Sequence, residues 1–193
     1  SITGRLNYWT QYIIETGKTY SSFATTASAA KINLKASAID IGLRYFFPTS
    51  VAPTVYAEYA AGSGDNDATG SATSTGGGST AGNDQRFISF GGMSLGYAMA
   101  PQLININVLK FGASVKPFGW SHSRVWSDIV FQPTFYSYKK DKASGATSDP
   151  VATQASSKLG SEFDVTIAWR LSSDLKYQFK WGRFSPGAAY PSA

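Results

Sequence analysis

The chain has 193 residues, of which 42% are hydrophobic, 15% aromatic and 15% charged, and its formal net charge is +5. Average domains carry roughly 25% charged residues, so this chain is poor in charge and rich in rings. It has no cysteine and one histidine, which excludes disulfide scaffolds, cysteine-ligated zinc sites and most histidine-based metal sites. No apolar run approaches the roughly 20 residues of a membrane helix. The aromatic content argues against intrinsic disorder, so an all-β chain is the class that fits.

Seven segments alternate polar and apolar residues with a period of two, which is typical of strands and not of helices. In the clearest segment, Leu159, Phe163, Val165 and Ile167 share one apolar face. In chain order, the predicted strands cover residues 3–15, 31–47, 53–61, 103–116, 123–138, 159–171 and 175–184.

The connections between these strands alternate in length. Short turns are predicted at about 48–52, 117–122 and 172–174. Long polar loops are predicted at about 16–30, 62–102 and 139–158, and the more apolar stretch 87–102 is expected to fold back. Outer-membrane barrels combine short periplasmic turns with long external loops. The predicted strands of about 10 to 16 residues also exceed the usual 5 or 6 of globular proteins.

The pattern therefore predicts an antiparallel transmembrane β-barrel as a single partial domain over residues 1–193. A soluble β-sandwich or lipocalin-like barrel produces the same alternation and stays the alternative. The first residues, Ser-Ile-Thr-Gly, lack the basic start and apolar core of a signal peptide. The chain is accordingly expected to be processed, intracellular or a fragment.

Three segments of the chain resemble the alginate-export family of outer-membrane barrels. Residues 52–67 (APTVYAEYAAGSGDND) are similar to a strand and acidic loop of that family, and residues 102–117 (QLININVLKFGASVKP) to a strand ending in Lys-Pro. Residues 159–187 resemble the closing hairpin, with a Gly-x-Glu-x-Asp start and a Gly-x-Phe-x-Pro-Gly end. The likeness runs from Leu34 onward and is strongest in the last third.

This resemblance implies a monomeric pore in the bacterial outer membrane, whose founding activity is the passage of an acidic polysaccharide. Seven strands are too few, and odd in number, for a closed bacterial barrel, and the family's usual final strand does not follow Pro186-Gly187. The chain is therefore expected to be the C-terminal part of a larger barrel of roughly 16–18 strands. The implied partners are outer-membrane lipid, lipopolysaccharide, an anionic solute or polysaccharide, and periplasmic or envelope proteins. No nucleic acid and no cofactor are expected.

If the apolar faces contact lipid, the opposite faces line the lumen. The basic candidates for the lumen wall are Arg5, Arg44, Lys110, Lys116, Arg124, Arg170, Lys176 and Lys180. The acidic ones are Glu15, Asp40, Glu58, Asp128, Glu162 and Asp164. Most basic residues fall near the short turns. They would form a basic vestibule that attracts anions, or they would pair with the acidic residues. Lys110 and Lys180 are the strongest individual candidates because they lie deeper along their strands.

Three aromatic residues, three lysines and one acidic run are also assigned to the lumen face or to the loops. Tyr56, Trp126 and Tyr136 are expected on the lumen face, where they would stack on sugar rings or simply fill space. Lysines 139, 140 and 142 are expected to form a solvated loop face near lipopolysaccharide phosphates. The acidic run 65–67 lacks the full ligand spacing of a calcium loop, so a solvated loop and no metal site are predicted.

The sequence contains no recognisable pairing of a nucleophile with a base, so no enzyme is predicted. His122, beside Trp120, is expected to be a polar turn residue. The leading functional hypothesis is an outer-membrane pore or exporter. A non-transporting barrel scaffold in an envelope assembly and a soluble carbohydrate-binding β-domain are the alternatives.

Overall fold

The computed structural model describes residues 5–20, 31–66, 83–88 and 92–191. These residues form eight strands and one helical turn. The strands are β1 (Leu6–Tyr20), β2 (Lys31–Phe46), β3 (Thr54–Gly62), β4 (Asn83–Asp84), β5 (Ile106–Ser114), β6 (Ile129–Lys139), β7 (Lys158–Arg170) and β8 (Lys176–Pro186), and the helical turn is α1 (Arg124–Ser127). Within these residues, no helix is long and apolar enough to span a membrane.

The long strands form one antiparallel sheet in the order β1-β2-β3-β5-β6-β7-β8. Each of these seven long strands pairs with the long strand before it in the chain. The predicted all-β antiparallel fold is thereby confirmed. Within the described residues the sheet is open, with β1 and β8 as its edges. The short turns connect β2 to β3 and β7 to β8, and the turn with α1 connects β5 to β6. We call this side of the sheet the short-turn end and the opposite side the long-loop end.

Alternate side chains along the strands form one face of the sheet, and this face is apolar and exposed. Leu43, Leu109, Phe111, Phe135 and Phe179 are between 40% and 59% exposed, although each lies within a strand. Soluble monomers rarely expose a continuous apolar surface of this extent. The arrangement is the reverse of a soluble β-sandwich, in which apolar faces pack together. It fits a barrel wall whose apolar face contacts lipid.

The opposite, polar face carries the buried core, which lies toward the long-loop end. Ala36, Ala38 and Ala60 are small inward residues that leave space above the sheet. Described residues of the connection between β3 and β5 fill this space, and Leu95 and Leu103 among them join the core. The same connection contributes β4, which pairs in parallel with the end of β2 that β3 does not reach. The sequence pattern missed β4 because two polar residues carry no periodicity.

The fifth predicted strand, 123–138, begins later than expected. Residues Arg124–Ser127 form α1 instead, and β6 starts at Ile129. Ser123 is extended, and its carbonyl accepts hydrogen bonds from the N–H groups of Trp126 and Ser127 at 3.1 and 2.9 Å. The predicted fourth strand, 103–116, also begins late, because Asn105 adopts a φ of 49° that a strand cannot accommodate.

Leu159 was predicted on the apolar face, and this prediction is wrong. Gly160 has a φ of 140° and the register between β6 and β7 shifts there, with Tyr138 opposite Gly160 and Lys139 opposite Lys158. Such a bulge interrupts strict alternation. Leu159 consequently turns into the core and is 0% exposed.

Two inward glycines receive aromatic rings. A Cβ atom at Gly112 would lie 2.2 Å from the Tyr56 Cζ atom, and one at Gly42 would lie 2.1 Å from the Trp9 ring. The Tyr56 ring therefore covers backbone in β5, and its hydroxyl lies 2.7 Å from Thr134 Oγ1 in β6. This contact connects three neighbouring strands across the polar face.

We predict that Gly112→Ala lowers the free energy of unfolding by about 1–3 kcal/mol, because the added methyl group displaces the Tyr56 ring. Urea titration of the folded protein in detergent measures the effect. Gly92→Ala is the matched control, since nothing lies within 4 Å of the position of its Cβ atom. Wild-type stability of Gly112→Ala, or an equal loss in the control, would contradict this packing.

Candidate functional site

The carboxylate of Glu162 holds a segment of the β3–β5 connection against the polar face. Its oxygens accept hydrogen bonds from the backbone N–H groups of Tyr97, Ala98 and Met99 at 2.6, 2.7 and 2.9 Å. Asp164 Oδ2 accepts from the Tyr97 N–H at 3.1 Å. Both carboxylates are 1% exposed. We call residues 92–105 the inner segment, and this set of four hydrogen bonds is its anchor.

The inner segment can approach so closely because Gly96 precedes the three amides. Gly96 has a φ of 124°, and a Cβ atom there would lie 2.4 Å from the Tyr138 hydroxyl and 2.7 Å from Glu162 Oε1. The Tyr138 hydroxyl donates to the Leu95 carbonyl at 2.6 Å. A side chain at position 96 would therefore separate the segment from its anchor.

Lys180, predicted to face the lumen, lies beside the inner segment. Its Nζ atom is 4.9 Å from the centroid of the Tyr97 ring. The Tyr97 hydroxyl lies 2.8 Å from Thr166 Oγ1 on β7. A cation over a ring is stabilised by the ring quadrupole, so part of the charge of Lys180 interacts with the segment itself.

Lys110, the other strong candidate, has its charge partly compensated. Its Nζ atom forms a 3.0 Å ion pair with Glu58 Oε2. It also lies 5.8 and 5.9 Å from the ring centroids of Tyr56 and Tyr136, and Arg44 lies 5.5 Å from the same Tyr56 ring. The two tyrosines lie on the polar face and are only 7% and 4% exposed. Their rings are packed within the wall, which counts against sugar stacking there.

A cavity of about 350 Å³ opens on the polar face at the short-turn end. Its charged lining consists of Lys116, Asp128, Arg170 and Lys176, and its polar lining of Gln132, Thr166 and Gln178. Three of the predicted basic residues are thus brought together from β7, β8 and the turn after β5. We call this cavity the basic vestibule.

One carboxylate, Asp128, offsets charge within the basic vestibule. Lys116 Nζ donates to Asp128 Oδ1 at 3.0 Å. This hydrogen bond, together with the charges of Lys116, Arg124 and Arg170, lowers the pKa of the Asp128 carboxyl below its usual value. Asp128 is therefore ionised throughout the neutral range, and the charges of Arg170 and Lys176 are left in excess.

Most acidic residues of the wall do not pair with basic ones. Glu15 accepts from the Ile88 N–H at 2.9 Å, and Asp40 accepts from Trp9 Nε1 at 3.1 Å. Within the residues that the structure describes, only Glu58 and Asp128 of the predicted acidic candidates form ion pairs. The predicted basic candidates without an ion pair in that part of the chain are Arg5, Arg44, Arg124, Arg170, Lys176 and Lys180.

Trp126 does not line the lumen, contrary to the prediction. The helical turn α1 carries its ring to the apolar side, where it stacks on Trp169 with a centroid distance of 5.7 Å. Strand alternation does not apply inside a helical turn, which explains the error. Arg124 likewise lies on α1 and not on a strand.

Lys140 was predicted to be solvated, and the structure shows it buried. It is 4% exposed, and its Nζ atom donates to the carbonyls of Ala152 and Gln154 at 2.7 and 3.0 Å. Burial lowers the pKa of its ammonium group. Lys140 thus holds the β6–β7 loop together, while Lys139 is exposed.

The acidic run 65–67 is partly described. The Asp65 carboxylate accepts from the Gln85 N–H at 2.8 Å, and Asn66 Oδ1 accepts from the Ser144 hydroxyl at 3.2 Å. Asp67 lies outside the described residues. In the part of the chain that is described, no group of three or more candidate metal ligands occurs.

We predict that Glu162→Gln releases the inner segment, because a neutral amide offers one acceptor oxygen where the carboxylate offers two. Charge-assisted hydrogen bonds contribute roughly 1.5–3 kcal/mol, so amide protection at residues 97–99 should fall about 10- to 100-fold. Hydrogen exchange measures this protection.

Glu58→Gln is the control for the same experiment. It removes a carboxylate from the same face and breaks the ion pair with Lys110, but it does not touch the inner segment. Unchanged protection in Glu162→Gln, or an equal loss in Glu58→Gln, would show that the anchor is elsewhere.

Comparison with known proteins identifies the family. A family model described as Alginate export matches residues 2–193. A search of the curated proteins found no match. The family match covers every strand of the sheet, the inner segment and the residues of the basic vestibule. The chain therefore belongs to the alginate export family, as its three resembling segments had indicated.

Proposed function

We propose that the protein is a pore of the bacterial outer membrane that passes anionic solutes or an anionic polysaccharide. The observation that carries this proposal is the basic vestibule, in which Arg170 and Lys176 have no ion pair among the described residues. Membership of the alginate export family supports the same transport function. The proposal assigns transport and gives no residue a catalytic role.

The position of the basic vestibule suits the capture of anions. Charges on a low-dielectric wall focus the electrostatic potential and raise the local concentration of counter-ions. Gln132, Thr166 and Gln178 provide uncharged donors and acceptors beside the cations. Such groups hydrogen bond to hydroxyl-bearing solutes without adding charge. We propose that an anion enters at the short-turn end, because the short turns of outer-membrane barrels face the periplasm.

The inner segment makes the two halves of the passage unequal. It covers the polar face toward the long-loop end, where Tyr136, Tyr138 and Val108 are buried beneath the loops. The short-turn end keeps its cavity. We propose that an anion passes from a wide basic entrance toward a constriction lined by the inner segment.

The open sheet edges require further strands in a membrane. Unpaired backbone groups in lipid cost several kcal/mol each, so β1 and β8 need pairing partners. We propose that such strands complete a barrel of roughly 16–18 strands, the size class of porins with an aqueous channel. Outer-membrane lipid surrounds the apolar face in this arrangement.

We predict that the double variant Arg170→Glu with Lys176→Glu lowers the ratio of anion to cation permeability roughly tenfold, equivalent to about 1.4 kcal/mol. The physical reason is the reversal of both uncompensated charges of the basic vestibule. Reversal potentials in a salt gradient across a planar bilayer measure the ratio. Lys139→Glu with Lys158→Glu is the control, because both residues are exposed at the long-loop end.

Three outcomes would contradict the proposal. A membrane-inserted protein that carries no current would favour the barrel scaffold in an envelope assembly. A protein that stays monodisperse without detergent would favour the soluble carbohydrate-binding domain. An equal change in the ratio of anion to cation permeability in both double variants would show that the basic vestibule does not select anions.

A further inference from the structure

A basic and hydroxyl-bearing patch interrupts the apolar face at the long-loop end. It lies on three adjacent strands, β6, β7 and β8, and we call it the outer-rim patch. Its members are Ser137, Ser161, Ser185, Lys139, Lys158 and Arg183. We propose that the outer-rim patch binds the phosphate groups of lipid A, the anionic membrane anchor of lipopolysaccharide. The inference rests on the proposed function, because it requires the apolar face to contact an outer membrane.

The strand register puts a row of three serines on the apolar face. Ser161 of β7 lies opposite Ser137 of β6 and opposite Ser185 of β8. Phe163, two positions after Ser161, is 44% exposed on the apolar face, and Arg183 lies opposite it. Residues two positions apart share a face, as do residues directly opposite each other. The serine row and Arg183 therefore belong to the apolar face.

The bulge at Gly160 brings two lysines together at the rim. Lys139 comes two positions after Ser137, and the register shift places it opposite Lys158. Leu159 turns into the core, whereas both lysines are exposed. Like charges directly opposite each other on neighbouring strands destabilise a sheet. A bound anion removes that repulsion.

No acidic residue of the long strands shares the apolar face with these cations. Their acidic residues all lie on the polar face, and they are Glu15, Asp40, Glu58, Glu162 and Asp164. Within the described residues, the three cations of the outer-rim patch form no ion pair. The three serine hydroxyl groups likewise make no hydrogen bond to a described protein group. The patch therefore has positive charge and hydroxyl donors available to a ligand.

Of the three loop lysines predicted near lipopolysaccharide phosphates, one belongs to the outer-rim patch. Lys140 is buried and donates to backbone carbonyls. Lys142 Nζ lies 3.4 Å from Asp141 Oδ2. Lys139 is exposed, and the fold joins it to Lys158 of the neighbouring strand. The structure thus replaces a run of lysines in the sequence with a set of residues from three strands.

The chemistry of the outer-rim patch matches a phosphate at the surface of a membrane. A guanidinium donates two parallel hydrogen bonds to a phosphate, and an ammonium adds a compact charge. Serine hydroxyl groups donate to the remaining phosphate oxygens. Long basic side chains at the rim of a membrane protein extend toward the headgroups, which directs Arg183 toward the serine row. Toward the middle of the sheet, the rings of Phe163 and Trp181 meet edge-on at 6.5 Å, where acyl chains would contact them.

The two ends of the apolar face differ in charge, and this difference selects the lipid. Besides the outer-rim patch, the described basic side chains on this face are Lys18 and Lys35, also at the long-loop end. On the strands at the short-turn end, Arg170 and Lys176 face the basic vestibule instead. The long loops of outer-membrane barrels are external. Lipopolysaccharide forms the external leaflet, so we commit to lipid A and not to a phospholipid of the periplasmic leaflet.

Competition between two lipids, measured by native mass spectrometry, tests this site. The protein in detergent is mixed with equal concentrations of diphosphorylated lipid A and phosphatidylglycerol, and a chelator removes divalent cations that could bridge lipid and protein. We expect the occupancy of lipid A to exceed that of phosphatidylglycerol at least about fivefold, because three cations meet two phosphates. Lipid A without phosphates should lose this advantage, and added salt should reduce it as screening increases.

The double variant Lys158→Gln with Arg183→Gln should lower the occupancy of lipid A about tenfold and leave the ratio of anion to cation permeability unchanged. Arg170→Gln with Lys176→Gln is the matched control, because it removes the same charge from the polar face and should leave lipid A binding unchanged.

Equal occupancy by both lipids in the wild type, or an equal loss of lipid A in both double variants, would overturn the inference while a conducting channel keeps the pore. A protein that stays monodisperse without detergent would overturn the proposed pore as well.

Discussion

The rest of the structure depends on two buried carboxylates that bind backbone instead of basic side chains. Glu162 and Asp164 receive the N–H groups of residues 97–99, and this contact holds the inner segment over the long-loop half of the polar face. A buried carboxylate without partners would be prohibitively costly, so the amides and the carboxylates require each other. Because this anchor holds the inner segment in place, the long-loop half of the polar face is covered, whereas the short-turn half keeps its cavity.

Positive charge is left in excess at the short-turn end, away from the anchor. The acidic residues Glu15, Glu162 and Asp164 at the long-loop end accept from backbone amides, and Asp128 is the carboxylate that lines the basic vestibule. Asp128 compensates Lys116, and Arg170 and Lys176 remain in the cavity.

Strand identity, order and facing were largely predictable from sequence because alternation over ten or more residues has one structural solution. The pattern failed where a local backbone feature interrupts it: the bulge at Gly160 turned Leu159 inward, and α1 moved Trp126 to the apolar side. The anchor was not predictable for two reasons. Glu162 binds the amide of Tyr97, which lies 65 positions away in the sequence. Its partners are also main-chain N–H groups, which no particular residue type reveals. The small inward residues Ala36, Ala38 and Ala60 are the signal that a loop fills that half.

The most direct test of this account is the side from which a polyanion blocks the channel. An anionic oligosaccharide is added to one side or the other of a planar bilayer that contains inserted protein of known orientation, and the blocked current is measured. The account predicts block at lower concentration from the short-turn end, where the basic vestibule is open. Equal block from both sides, or stronger block from the long-loop end, would contradict it.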